Sequence, residues 1–357
     1  MSYRFIAAAA ALAGSLLAPG GYARPPQPLP SPNQKADPQM QAVLQELAWL
    51  TPTPLHKLSV SQARRQPGPA DAVKAVLSKQ GKAFAPLPVD SIVGMNIPGP
   101  AGDIPVRVYK PAGSGPKPVL VYFHGGGWVL SDIDSYDASC RALVNAANCV
   151  VISVGYRRAP EYKFPAAHED SYAATQYIIQ NANKFGGDPA RVAVGGESAG
   201  GNLAAAVCLM ARQRGGKMPV HQLAIYPIAD YGQNTTSYVE NEDAIPLSRP
   251  AMAWFFKHVL SDPADGMKAL ISLDKAELRG LPPATVITAQ IDPLRTEGKQ
   301  YADRLADAEV PVRYRNYQGV AHEFFGMGAV VDKAKEAVAF AADGLKLAFG
   351  QQKTARR

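Results

Sequence analysis

The spacing of apolar residues changes character along the chain. Met40, Val43, Leu44, Leu47 and Leu50 recur at the three- and four-residue intervals that line one face of a helix. A weaker helical stretch covers residues 70–79, after a Pro/Gly break. Beyond Pro86 the pattern turns to alternation, and Val106, Arg107, Val108 and Tyr109 read as a strand. From there, runs of strand length that are mostly apolar (118–123, 149–154, 191–194, 223–226, 284–289 and 312–317) are separated by helical stretches at 135–147, 170–185, 200–214 and 296–308. A strand with no polar face has to be covered on both sides, and intervening helices supply the covers. The pattern therefore predicts an α/β protein built on a mostly parallel sheet. With 357 residues, 47% of them hydrophobic, one large core suffices.

The ends read differently. Arg4 precedes an apolar stretch over 5–18, which Pro19, Gly20 and Gly21 break, and Gly21 and Ala23 put small residues where a signal peptidase reads. The stretch is short for a membrane span. Residues 1–23 are expected to be a cleaved export signal, with a periplasmic or secreted product that has no stable membrane insertion; an uncleaved anchor is the alternative. Residues 24–36, dominated by proline, read as an extended linker, which leaves 37–357 as the folded domain.

The formal net charge of +7 changes little, because Arg4, Lys353, Arg356 and Arg357 lie near the ends and no dense Lys/Arg run is interleaved with aromatics. Nucleic acid is not an expected partner. Cys140, Cys149 and Cys208 show no Cys-x-x-Cys spacing and each lies in an apolar stretch. Buried thiols are expected, with a Cys140–Cys149 bridge as the alternative.

Three segments carry candidate chemistry. Gly196-Glu197-Ser198-Ala199-Gly200 follows a short strand and opens a helix. Flanking glycines allow a turn tight enough to present a serine hydroxyl as a nucleophile. His124-Gly125-Gly126-Gly127-Trp128 directly follows another strand. Its unshielded backbone N–H groups at Gly125, Gly126 and Gly127, with that of Ala199, suit the negative oxygen of a tetrahedral intermediate. Asp292 follows the strand ending at Ala289, and His322 follows the last expected strand. In the order Ser, Asp, His, the histidine takes the serine proton and the aspartate orients the imidazole. Glu297 is the nearest rival acid and suits the first turn of a helix. His56, His168, His221 and His258 form no ligand cluster, so neither a metal nor any other cofactor is expected.

Together these segments, with Tyr156-Arg157-Arg158-Ala159-Pro160-Glu161, Tyr226-Pro227, Asp230 and Asp292-Pro293-Leu294-Arg295, give a chain that from about 118 to 340 resembles the hormone-sensitive-lipase-like family of α/β-hydrolases. The resemblance implies an α/β-hydrolase fold with an eight-stranded, mostly parallel sheet. It also implies a helical cap from about 37–82 and 232–260, and a triad of Ser198, Asp292 and His322. Trp254, Phe255 and Phe256 fall in the second cap segment, where cap core and contact with an acyl chain are both open; Trp128, Trp254 and Phe255 are the pocket candidates. The chain departs from the family's usual pattern at Gly155 and Thr296, where an aspartate is common, and at Glu323, where glycine is. The implied activity is cofactor-free hydrolysis of short- to medium-chain acyl esters through an acyl-serine, on a small-molecule substrate; a homodimer is compatible. Amide, lactone or thioester hydrolysis is the alternative. A non-catalytic binding protein on this fold is disfavoured by the presence of all three triad residues.

Overall fold

The structure, a computed structural model, describes residues 28–351. The N-terminal region is helical: α1 (Pro38–Leu50), the short α2 (Val60–Ala63) and α3 (Pro69–Lys79). The apolar stripe read from the sequence is what α1 buries, with Met40, Val43, Leu44 and Leu47 inside. α2 opens on a reciprocal cap, in which the Ser59 side chain accepts from the Gln62 N–H and the Gln62 side chain accepts from the Ser59 N–H.

The sheet follows. A hairpin of β1 (Ser91–Gly99) and β2 (Gly102–Lys110) leads into β3 (Lys117–Phe123), α4 (Asp137–Ala147), β4 (Val150–Val154), α5 (Ala166–Gln180), β5 (Gly187–Glu197) and α6 (Ala199–Arg214). Then come β6 (Gln222–Ile225), α7 (Thr236–Glu240), α8 (Arg249–Val259), β7 (Ala284–Ile291), α9 (Arg295–Asp307), β8 (Val312–Ala321) and α10 (Asp332–Ala348). The eight strands lie in the order β1-β2-β4-β3-β5-β6-β7-β8. β2 runs antiparallel to both neighbours, and every other pairing is parallel.

The all-apolar strands are apolar because both faces are buried. Along β3, Val119, Val121 and Phe123 enter the layer that contains α5, α6 and α9, while Leu120 and Tyr122 enter the one that contains α4 and α10. Cys140, Cys149 and Cys208 are buried free thiols, so the bridge is not formed. Among the described residues, no helix is long and apolar enough to cross a membrane.

Two elements exceed the sequence reading. β1 buries only Ile97 fully and exposes Ile92, Val93 and Met95, so it has no apolar face to announce it. α10 has its stripe at helical spacing (Ala334, Ala337, Val338, Ala341, Leu345), but alanine gives it little hydrophobic contrast.

One expectation is corrected. Within the proposed linker, Ser31–Lys35 form a 3-10 turn, and Asn33 is fully buried. Its side-chain amide donates to Ile245 O at 2.7 Å and accepts from Ile245 N–H at 3.0 Å, as a neighbouring strand would. A proline-rich composition says nothing about one such anchor. Residues 1–27, with the expected export signal, lie outside the described residues. Replacing Asn33 by Ala leaves both Ile245 backbone groups without that partner. It is expected to cost about 1–3 kcal/mol, read as a lowered urea midpoint, whereas an unpacked linker predicts no change.

Candidate active site

Parallel strands deliver their C-terminal ends to one edge, and the candidate residues gather there. Ile291 of β7 pairs with Ala321 of β8, and the residues that follow these two strand ends are Asp292 and His322. Ser198 follows Glu197, the last residue of β5. It is the N-cap of α6 at φ 58°, ψ −118°, a backbone state costing about 1–3 kcal/mol. Its N–H donates to Ile225 O at 2.9 Å and its carbonyl accepts from Asn202 N–H at 3.1 Å, which holds the turn from both sides. The flanking glycines are there for space. A Cβ on Gly200 would lie 1.9 Å from the Phe123 carbonyl oxygen, and one on Gly196 would lie 2.4 Å from the same atom.

The three side chains meet. His322 Nδ1 lies 2.7 Å from Asp292 Oδ2, and His322 Nε2 lies 3.0 Å from Ser198 Oγ. An ionised carboxylate only accepts, so Nδ1 carries the hydrogen and Nε2 is left to accept from the serine hydroxyl. The other oxygen of Asp292 accepts from Leu294 N–H at 2.8 Å. The aspartate loop is tied to α7. Ser237 Oγ donates to Pro293 O at 2.6 Å and accepts from Thr296 N–H at 3.0 Å, while Thr296 Oγ1 accepts from Ser237 N–H at 3.3 Å. Thr296, where an aspartate is common, thus makes its own link. Glu297 does not reach His322. Its carboxyl is buried and accepts from Ala229 and Asp230 N–H, bracing the loop after β6.

Burial by itself would lower the pKa of His322. Asp292, by charge and hydrogen bond, and then Glu323 and Glu197 outweigh it, leaving the imidazole above its ordinary value of 6.5. The two glutamates belong to a buried polar cluster that the sequence reading assigned no part in the chemistry. Glu197 is bonded by the hydroxyls of Tyr122 and Tyr226, and burial together with Glu323 pushes its carboxyl up to about 7. Tyr226 also packs its ring on His322, with centroids 4.7 Å apart. Glu323 stands at φ 67° and takes hydrogen bonds from Tyr136 Oη at 2.7 and 2.9 Å. Burial raises its carboxyl too, against the opposing pull of His322 and Tyr136. The signal that could have found both residues is position, since one precedes the serine and the other follows the histidine.

Ser198 and His322 open on a cavity of about 910 Å³. Gly126 (φ 89°) and Gly127 (φ 57°) line it near Ser198. Ala199 starts α6, so its N–H has no partner within the helix and is free to donate toward the site. Gly125 is set apart. It does not line the cavity, and a Cβ there would meet the Tyr136 hydroxyl at 2.3 Å, so its glycine serves close packing.

The pocket candidates divide. Phe255 lines the cavity with its ring pressed on Gly127, where a Cβ would lie 2.2 Å from it. Trp254 does not line it. Its indole N–H donates to Leu58 O at 3.0 Å and joins the two cap segments. Trp128 is only 1% exposed, lies against His168 and Phe256 beneath the site, and also does not line the cavity. Large aromatics in a cap sequence signal burial, and burial alone does not separate cap core from pocket wall.

The fold and this constellation define a serine hydrolase scaffold, and comparison with known proteins agrees. A family model described as alpha/beta hydrolase fold matches residues 120–326. The chain belongs to that family, in its hormone-sensitive-lipase-like branch. It is 43% identical over 245 residues to the carboxylic ester hydrolase LipN of Mycobacterium tuberculosis, covering 66% of this chain and 65% of that protein. It is 33% identical to an ethyl acetate hydrolase of Pseudomonas putida, covering 82% of this chain and 92% of that protein. Among solved structures, the hyperthermophilic esterase of Pyrobaculum calidifontis superposes with a TM-score of 0.79 at 38% identity, over 87% of this chain and 98% of that one.

The arrangement predicts that the His322 imidazole titrates above 6.5 and that Asp292→Asn lowers its midpoint, as followed by NMR of the ring protons. A midpoint below 6.5 in the parent protein contradicts the electrostatic account.

Proposed function

We propose that the protein hydrolyses carboxylic esters, with Ser198 as nucleophile, His322 as general base and acid, and Asp292 as the group that orients His322. One observation carries the assignment: the unbroken chain from Asp292 Oδ2 through His322 to Ser198 Oγ, at 2.7 and 3.0 Å, on the wall of the cavity. The relatives support the substrate class, since those named above are ester hydrolases.

In the reaction, Ser198 Oγ attacks the ester carbonyl carbon while His322 Nε2 takes its proton. The carbonyl oxygen becomes an oxyanion, which the N–H groups of Gly126, Gly127 and Ala199 receive; one such donor is typically worth about 3 kcal/mol in the transition state. The intermediate collapses by breaking the bond to the alcohol oxygen, which leaves with the proton from His322. Water then attacks the acyl-serine by the same route, releasing the acid and restoring Ser198. Phe255, Met252 and Leu247 give the cavity an apolar wall, which supports short- to medium-chain acyl groups as substrates. Export, read from residues 1–23, is part of the proposal, and N-terminal sequencing of the mature protein tests it.

Hydrolysis of nitrophenyl esters from acetate to palmitate, by the parent and by Ser198→Ala, tests the chemistry. The expected result is turnover on the shorter chains that falls by about five to six orders of magnitude in the variant. Activity within tenfold of the parent overturns the assignment, and turnover confined to amides or lactones reassigns the substrate. His322 must be neutral to accept a proton, so kcat/KM is expected to rise with pH through the histidine pKa. That acid limb lies above pH 6.5 because the pKa is raised. A profile flat down to pH 4 contradicts the role of His322.

A further inference from the structure

We propose that Glu323 is a specificity determinant for the alcohol half of the ester, and that the site favours alcohols carrying a positive charge or a hydroxyl group. The inference deepens the ester-hydrolase reading and rests on it.

The argument starts from position. His322 Nε2 is the atom that hands a proton to the departing alcohol, so the alcohol oxygen has to come within hydrogen-bond reach of it. Glu323 Oε1 lies 3.9 Å from that same nitrogen, and Glu323 lines the cavity. An alcohol leaving from His322 therefore leaves past the carboxylate. The Tyr136 hydroxyl has one hydrogen to give, so it satisfies only part of a carboxylate with about four lone-pair sites. The remaining lone pairs are acceptors for a donor on the substrate.

The surroundings point the same way. Although the chain carries a net charge of +7, its cavity is acidic. Asp71, Asp132, Asp134, Glu242, Asp243, Glu197 and Glu323 line it, against Arg64, Lys74 and Arg158. The three basic groups are already engaged: Arg64 pairs with Glu161, Lys74 with Asp71, and Arg158 donates to Ser131 O. Asp71 and Asp134 are in turn paired with Lys74 and Arg107, and Glu197 is held near neutrality. That leaves Asp132, Glu242, Asp243 and Glu323 as the lining carboxylates that face an entering cation, against Arg158, whose bond to a neutral carbonyl leaves its charge in place.

The lining is also mixed. Ile228, Leu247, Met252 and Phe255 offer apolar surface, and Ser131, Ser135, Ser139 and Tyr136 offer polar groups besides Glu323. An ester with an apolar acyl group and a polar alcohol finds partners of both kinds. Finally, Glu323 holds a left-handed φ of 67°, a conformation that disfavours any side chain by about 1–2 kcal/mol. That backbone state aims the side chain at Tyr136 and the histidine.

The test keeps the acyl group fixed as acetate and varies the alcohol. The substrates are acetylcholine, its uncharged isostere 3,3-dimethylbutyl acetate, and the pair 2-hydroxyethyl acetate and propyl acetate, with parent protein, Glu323→Gln and Glu323→Gly. Glycine accepts the left-handed φ, so the third protein controls for strain in the loop. The parent is expected to favour acetylcholine over its isostere by about tenfold in kcat/KM, the scale of one charge pair near a protein surface. Glu323→Gln keeps an acceptor and loses the charge. It is expected to bring that ratio to within about twofold while retaining the hydroxyethyl preference, and Glu323→Gly is expected to lose both.

If Glu323 only tunes His322, both variants lower every ester by one common factor and shift the acid limb of the pH profile. Unchanged ratios of that kind overturn the inference and leave the ester-hydrolase reading intact. Failure of the parent to hydrolyse any ester of the series overturns both.

Discussion

At the end of β5 the chain turns from strand to helix within one residue, beneath the carbonyl of Phe123 on the neighbouring strand. That carbonyl oxygen lies where a Cβ on Gly196 or Gly200 would sit, so the two segments approach as closely as bare backbone permits. The closeness puts the N-terminus of α6 directly beside the glycine loop that follows β3, and β3 and β5 are adjacent in the sheet. Serine hydroxyl, Ala199 N–H and the Gly126–Gly127 loop are thereby brought to one spot by main-chain geometry. The unfavourable φ of Ser198 is the consequence, and the surrounding sheet over-determines it.

Around that point the histidine sits in an asymmetric field. Asp292 holds one ring nitrogen directly, in a buried setting where a carboxylate keeps its full effect. On the other side, Glu197 and Glu323 act through distance and through three tyrosines. Their like charges oppose one another, so Glu197, fully enclosed, is held near neutrality while Glu323, whose side chain is 19% exposed toward the cavity, is the better placed of the two to remain ionised. The serine, its base and its orienting acid thus share the site with a second acidic pair that favours the protonated imidazole formed during reaction.

The sequence made the sheet legible because burial on both faces writes itself as apolar runs, which β3, β4, β6, β7 and the second half of β5 carry, whereas the edge strand β8 interleaves Arg313, Arg315 and Asn316 with its apolar positions. β1 lacked it, since an edge hairpin strand with exposed Ile92, Val93 and Met95 has no face to hide. The triad residues were readable because each stands just past a strand end, Ser198 between Gly196 and Gly200, Asp292 before Pro293 and His322 after the last strand, in the chain order Ser, Asp, His. The cap aromatics were not separable in the same way. Trp254 and Phe255 are neighbours on α8 and equally buried, yet one joins the cap segments and the other faces Gly127. Only the packing of α8 against the loops decides which is which, and no periodicity in the sequence records that. Gly125 illustrates the converse: three identical glycines carry identical signals, yet only Gly126 and Gly127 line the cavity, while Gly125 packs against the Tyr136 hydroxyl and the Glu197 carbonyl.

The cap is not a free-standing lid. Asn33 fixes the N-terminal segment to Ile245, four residues beyond Asn241, and Asn241 Nδ2 donates to Asp292 O at 3.3 Å. Ser237, at the start of the same insertion, holds Pro293 and Thr296 on either side of the aspartate loop. These hydrogen bonds, joined by the short segment 241–245, therefore link residue 33 through the insertion to the orienting acid. The α8 end is held differently, by the Trp254–Leu58 bond and by ring packing of Phe255 on Gly127. Ring packing is non-directional, whereas the paired hydrogen bonds at Ile245 and Thr296 fix distance and angle. The insertion thus has one end that shares its rigidity with the triad and another whose contacts are mainly apolar, and the cavity lies between them.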